Sequence, residues 1–122
     1  MFISQNNAMI AVTKVQDILV VTMQADLDSN HFEAMCHDIL EQMRHQKVEA
    51  VVVDFSAVDV MSLSEFDRLR RFFDTVHLLK AQPAIVSLSA GVVLYLVEAG
   101  AHTEGIHFFF GLDEALQKFQ KA

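Results

Sequence analysis

A chain of 122 residues with 52% hydrophobic content can bury a core of its own and is too apolar to be a disordered segment. Its net charge of −7 argues against binding nucleic acid through phosphates, which needs a concentrated basic surface. Its longest uninterrupted apolar run, residues 92–97, falls far short of the roughly 20 residues that cross a bilayer.

The start, MFISQNNAMIAV, has no basic n-region and no clear apolar h-region, so no signal peptide is expected. The single cysteine, Cys36, cannot form an internal disulfide, which fits a cytoplasmic protein. Residues 9–13 (MIAVT) read as a short strand and residues 18–23 (ILVVTM) as a second, with KVQD between them as a hairpin loop. In ADLDSNHFEAMCHDILEQMRHQ, residues Phe32, Met35, Cys36, Ile39, Leu40 and Met43 recur at helical spacing and make one stripe. Asp28 or Ser29 is placed to cap that first helix.

Residues 50–54 (AVVVD) are apolar and largely β-branched on consecutive positions, the pattern of a central parallel strand covered on both faces. A second helix is expected over residues 62–79, with Phe66, Leu69, Phe73 and Val76 on its inner face. Its start carries three agreeing signals, the first being Ser62 as N-cap. Ser62 and Glu65 form an S-x-x-E capping box, and Met61 and Phe66 occupy the two positions of a hydrophobic staple. Residues 84–87 (AIVS) follow as a short buried strand. Residues 90–99 are apolar almost all round, which predicts a well-buried third helix. Residues 106–110 make a last strand. Leu112, Ala115, Leu116 and Phe119 mark a final helix, with Asp113 and Glu114 at its start and Lys118 and Lys121 at its end, as the helix dipole favours. The order β-β-α-β-α-β-α-β-α predicts one α/β domain over residues 1–122, with a mostly parallel sheet and an antiparallel hairpin edge.

The stretches VVVDFSAVDVMSLSEF, AIVSLSAGVVLYLVEAGA and GLDEALQKF, in this order and spacing, resemble a STAS domain, the family of anti-sigma factor antagonists and sulfate-transporter C-terminal domains. LVVTMQADLDSNHFEAMCHDIL resembles the N-terminal half of the small stand-alone STAS proteins of the bacterial stressosome. The resemblance implies a non-catalytic protein that binds other proteins and forms homo- or hetero-oligomers. The implied partners are a serine kinase, an anti-sigma factor or the sensor-bearing stressosome paralogues. With no N-terminal sensor domain in the chain, the scaffold subunit is the better match.

In the family, Asp-hydrophobic-Ser/Thr closes a strand and an Asp-Ser or Asp-Thr pair follows at a helix start, where a kinase phosphorylates the Ser or Thr. Asp54 and Ser56 fit the first part. The pair falls on Ser62 and Leu63, so a leucine holds the usual acceptor position. The loop before the third helix has Ser87 and Ala90 where the family often has Gly and Pro. Three readings follow: a displaced acceptor at Ser62 or Ser64, with Ser56 as a further candidate; a permanently binding, unphosphorylated variant; or a drifted function on a retained surface. A phosphate at a helix N-terminus is stabilised by free N–H groups. The expected binding surface comprises Asp54, Asp59, Val60, Met61 and Leu63, with Arg68 on its rim.

Other chemistry is poorly supported. Asp54 at a strand end resembles a receiver phospho-acceptor, but the Asp26 and Asp28 pair follows an edge hairpin strand and no lysine follows the last strand. His31, His37 and His45 make no H-x-x-x-H pair, so no metal is expected, and no cofactor fingerprint is present. Asp67 with Arg71 and Glu65 with Arg68 have helical ion-pair spacing. The alternative functions are an accessory STAS subunit of a membrane transporter, and small-ligand binding by the loops at the carboxyl ends of the strands.

Overall fold

The computed structural model describes residues 11–24 and 28–120. Met9 and Ile10 of the predicted first strand, and Lys121 of the last helix, lie outside them. The elements are β1 (Ala11–Val15), β2 (Ile18–Thr22), α1 (Ser29–His45), β3 (Ala50–Asp54), α2 (Leu63–Leu78), β4 (Gln82–Val86), α3 (Ala90–Glu98), β5 (His107–Phe109) and α4 (Leu112–Phe119). This is the predicted order. The hairpin loop is shorter than expected, because Lys14 and Val15 pair with Leu19 and Ile18 and leave only Gln16 and Asp17 to turn. Gln16 takes φ 54°, the sign that primed hairpin turns require at their first central position.

The five strands lie in the order β1-β2-β3-β4-β5; β1 and β2 are antiparallel and every other pair is parallel. Each crossover steps one strand in the same direction. A constant crossover hand then puts α1, α2 and α3 on one face. Their buried residues, Met35 and Ile39 of α1, Phe66, Leu69 and Phe73 of α2, and Val92 and Leu96 of α3, share a core with Leu19, Val21, Val51, Val53 and Ile85. The other face packs Ile18, Val20, Val52, Ala84 and Val86 against Ala115, Leu112 and Phe119 of α4. Alternate residues of β3 therefore serve two cores, which is why its pattern is continuous rather than alternating.

Strand β4 begins earlier than its sequence suggested and includes Pro83. The Gln82 N–H donates to the Glu49 carbonyl at 2.9 Å on the β3 side, so the next residue faces the β5 side. There β5 begins only opposite Ala84. The missing N–H of Pro83 thus falls where no strand needs it.

The prediction for α3 needs correction. Only Val92 and Leu96 are buried, whereas Val93, Leu94, Tyr95 and Val97 are exposed at 42, 60, 45 and 70%. A short helix on one face of a sheet buries a single stripe, and nothing among the described residues forms a further layer over α3. The expected ion pairs on α2 are replaced too. Arg70 pairs with Asp74 at 3.6 Å, and Arg68 reaches across to Glu33 on α1 at 3.7 Å, with its guanidinium 5.6 Å over the Phe32 ring.

Candidate partner-binding site

Residues 54–65 leave the carboxyl end of the central strand and climb to α2. Asp54 closes β3 and accepts from the Ser56 N–H at 2.8 Å, a local turn that starts the loop. The loop is pinned at both ends. Phe55 donates its N–H to the Val86 carbonyl at 3.0 Å, and Met23 donates to the Asp54 carbonyl at 3.0 Å. Phe55, Val58 and Met61 are buried in the core, while Asp59 and Val60 between them are exposed, Val60 at 81%. An apolar side chain is thus held out in solvent by a loop whose neighbouring residues are anchored.

The loop ends in the predicted capping box. The Glu65 N–H donates to Ser62 Oγ at 3.1 Å and the Ser62 N–H donates to Glu65 Oε1 at 2.8 Å. Met61 and Phe66, the two staple positions, are both buried in the same core. Leu63 is half-buried in the first turn, and Ser64 is exposed one residue on.

Two clefts flank Val60. One, of about 510 Å³, brings together Asp59, Val60, Met61, Ser62 and Glu65 with Gly91, Val92 and Tyr95 of α3. The other, of about 290 Å³, lies on the α1 side and includes Val60, Met61, Glu65, Arg68, Phe32 and Asp28. Among the predicted residues, Asp59, Val60, Met61 and Ser62 therefore converge on the first cleft, and Arg68 lies on the opposite side of the loop. Asp54 and Ser56 sit at the loop's foot and line neither cleft. Tyr95, Gly91 and Val92 were missed. The available signal was the apolar outer face of the third helix, read there as burial.

Asp28 caps α1 by accepting from the His31 N–H at 2.9 Å, and that bond is the main reason its carboxyl is held below the usual value. Burial pushes the Cys36 thiol up to about 12, so it stays protonated at neutral pH and is a packing residue. Among the described residues, no group of three His, Cys, Asp or Glu side chains could hold a metal ion. None of their helices is long and apolar enough to cross a membrane.

The model of the STAS domain family matches residues 9–115, a span that takes in every strand and the first three helices. This chain belongs to the STAS domain family. No curated protein sequence matches it. Solved structures share its fold. RsbS from Moorella thermoacetica, a single-substitution variant, superposes with a TM-score of 0.76 at 22% identity, covering 89% of this chain and 92% of that one. A chain of the stressosome, a signal integration and transduction hub, gives 0.72 at 22% identity, covering 88% and 94%. An anti-sigma-factor antagonist (STAS) domain protein from Planctomyces limnophilus gives 0.72 at 21% identity, covering 91% and 97%.

Proposed function

We propose that this STAS domain is a signalling interaction module of the anti-sigma factor antagonist or stressosome-scaffold kind, working as a single domain that binds partner proteins through residues 54–65 and the first turn of α2. The observation that carries the reading is Val60, exposed at 81% on a loop whose neighbours Val58 and Met61 are buried. A rigid, exposed apolar side chain beside a helix start loses little entropy on docking, which favours recognition. The strand order supports the same reading. The described sheet runs in sequence without a reversal, so the clefts beside Val60 do not sit at a topological switch point, where open α/β sheets commonly hold small ligands.

A serine switch fits the same place. Ser62 is the poorer acceptor, because its hydroxyl already accepts from the Glu65 N–H and a phosphate there would face the Glu65 carboxylate. Ser64 is exposed and outside the cap, in the first turn where the helix dipole favours an anion. A phosphate would add about −1.5 to −2 charges beside Leu63 and Val60 and so alter the partner surface.

The test is photo-crosslinking in native cells from position 60, with exposed Leu78 at the far end of α2 as the control position, together with intact-mass and phosphosite mapping. Crosslinks to a kinase, an anti-sigma factor or STAS paralogues from position 60 alone are expected. Equal capture from both positions would sink the loop as the site. Capture of a membrane complex from position 60 would decide for an accessory transporter subunit. A chain unmodified in stressed and unstressed cells would remove the switch and leave a constitutive binding module.

A further inference from the structure

The outer face of α3 continues the surface around Val60. Tyr95 and Val92 line the 510 Å³ cleft together with Val60, Asp59 and Glu65. Leu94 and Val97, both exposed, lie beyond the cleft on the same helix. The helical repeat puts Glu98 three and four residues from Tyr95 and Leu94, on their side of α3. Acidic groups therefore border this apolar strip at three points: Asp59, Glu65 and Glu98, each of them exposed. Among the described residues, no lysine or arginine lines the 510 Å³ cleft. Residues 81–117 contain Glu98, Glu104, Asp113 and Glu114 and not one lysine or arginine. On α2, Arg68 turns to Glu33 on α1 and Arg70 pairs with Asp74.

We propose that this strip, from Val60 across Tyr95 to Leu94, is a docking surface for an amphipathic helix of a partner protein whose apolar stripe is flanked by Lys or Arg. The inference rests on the partner-binding reading above and adds the chemistry of the partner. Charge chooses the occupant. A second copy meeting this face symmetrically would set Asp59, Glu65 and Glu98 against themselves, whereas basic flanks are complementary. Topology chooses the secondary structure. Strands β3 and β4, which feed the cleft, are both interior to the sheet, so no free strand edge is offered for pairing. An incoming segment must satisfy its own backbone, and a helix does so. The strip also extends past the cleft onto Leu94, which a small molecule seated in the cleft would leave uncovered.

The probe is a designed helical peptide with leucines at i, i+3, i+4 and i+7 flanked by lysine and arginine, titrated into the full-length, isotope-labelled chain and followed by backbone amide shifts. The control is the same peptide with glutamate in place of every basic residue. The basic peptide is expected to shift amides at Val60, Gly91 and Tyr95, to weaken as salt rises, and to lose about tenfold in affinity with Tyr95→Ala. The double substitution Asp59→Asn and Glu98→Gln is expected to flatten the salt dependence while apolar contact persists. Both substituted sites are exposed, and unchanged amide spectra elsewhere certify folding. Equal binding of the two peptides, no binding of either, or shifts confined to other faces would overturn the proposal. Concentration-dependent shifts at Tyr95 without peptide would overturn it in favour of a second copy. If the peptide fails while position 60 still crosslinks to partners in cells, the loop remains the site and only the basic helix is wrong.

Discussion

Single residues here do separable work, and the clearest contrast is between Ser62 and Ser64. Ser62 both caps α2 and borders the cleft beside Val60. Removing its hydroxyl in Ser62→Ala is expected to cost about 1 kcal/mol in denaturant unfolding, since one helical N–H loses its acceptor. Ser64→Ala, outside the cap, is expected to stay within about 0.5 kcal/mol. Equal losses would mean that the cap contributes nothing. Ser87 presents the opposite case. It follows β4 at φ 61°, and its hydroxyl donates to the Phe110 carbonyl at 3.4 Å, a long bond. A side chain in the left-handed region costs roughly 1 kcal/mol. A glycine would take this conformation without that cost. Ser87→Gly is expected to raise the unfolding midpoint, and a lowered midpoint would show that the hydroxyl bond outweighs the strain.

At the scale of elements, α3 shows how far pattern reading reaches. Its cap and its end are local: Ser89 accepts from the Val92 N–H at 3.2 Å, and Gly100 at φ 74° closes the helix with the Ala101 N–H bonded to the Leu96 carbonyl at 3.0 Å. The side that faces the core is not local. Leu94 and Leu96 are identical residues two positions apart, yet one is exposed and the other buried. Leu96→Ala is therefore expected to cost about 2–5 kcal/mol by opening a cavity. Leu94→Gln is expected to change stability by less than about 0.5 kcal/mol. Similar costs for the two would mean that α3 packs through a different stripe. Helix α2 was read more accurately because charged residues break its outer face, leaving only one stripe to bury.

For the whole molecule, both faces of the sheet must be covered, and the α4 face is the thinner layer. There His107 of β5 packs edge-on against Phe119 of α4 at 5.4 Å between ring centroids, with its Nε2 3.1 Å from Gln82 Oε1. Burial, with the nearby Lys118 and His77, holds its pKa below the ordinary 6.5. The unfolded chain then binds this proton more readily than the folded one. The stability this group contributes is complete above about 6.5 and is lost as pH falls from there through the lowered folded value. Denaturant midpoints are expected to drop on acidification through that window, and His107→Gln is expected to flatten the drop. An unchanged slope in the variant would place the proton uptake on another group.

The sequence by itself determined the element order, the central position of β3, the antiparallel hairpin edge and the capping box at Ser62. Each follows from interactions between residues close along the chain, or from a run of side chains that only one environment suits. Residues 54–65 drew notice as a partner surface through the resemblance to the STAS family, beside the helix-start signals at Ser62. Only the tertiary structure decided which apolar residues stay in water. Val60, Leu94 and Tyr95 differ from their buried neighbours in position relative to the sheet rather than in chemistry, and that position is fixed by strand pairings between residues distant in the chain, such as Ala50 with Gln82 and Ala84 with His107. The cleft between the 54–65 loop and α3 was illegible for the same reason: its two walls meet only because β3 and β4 pair side by side.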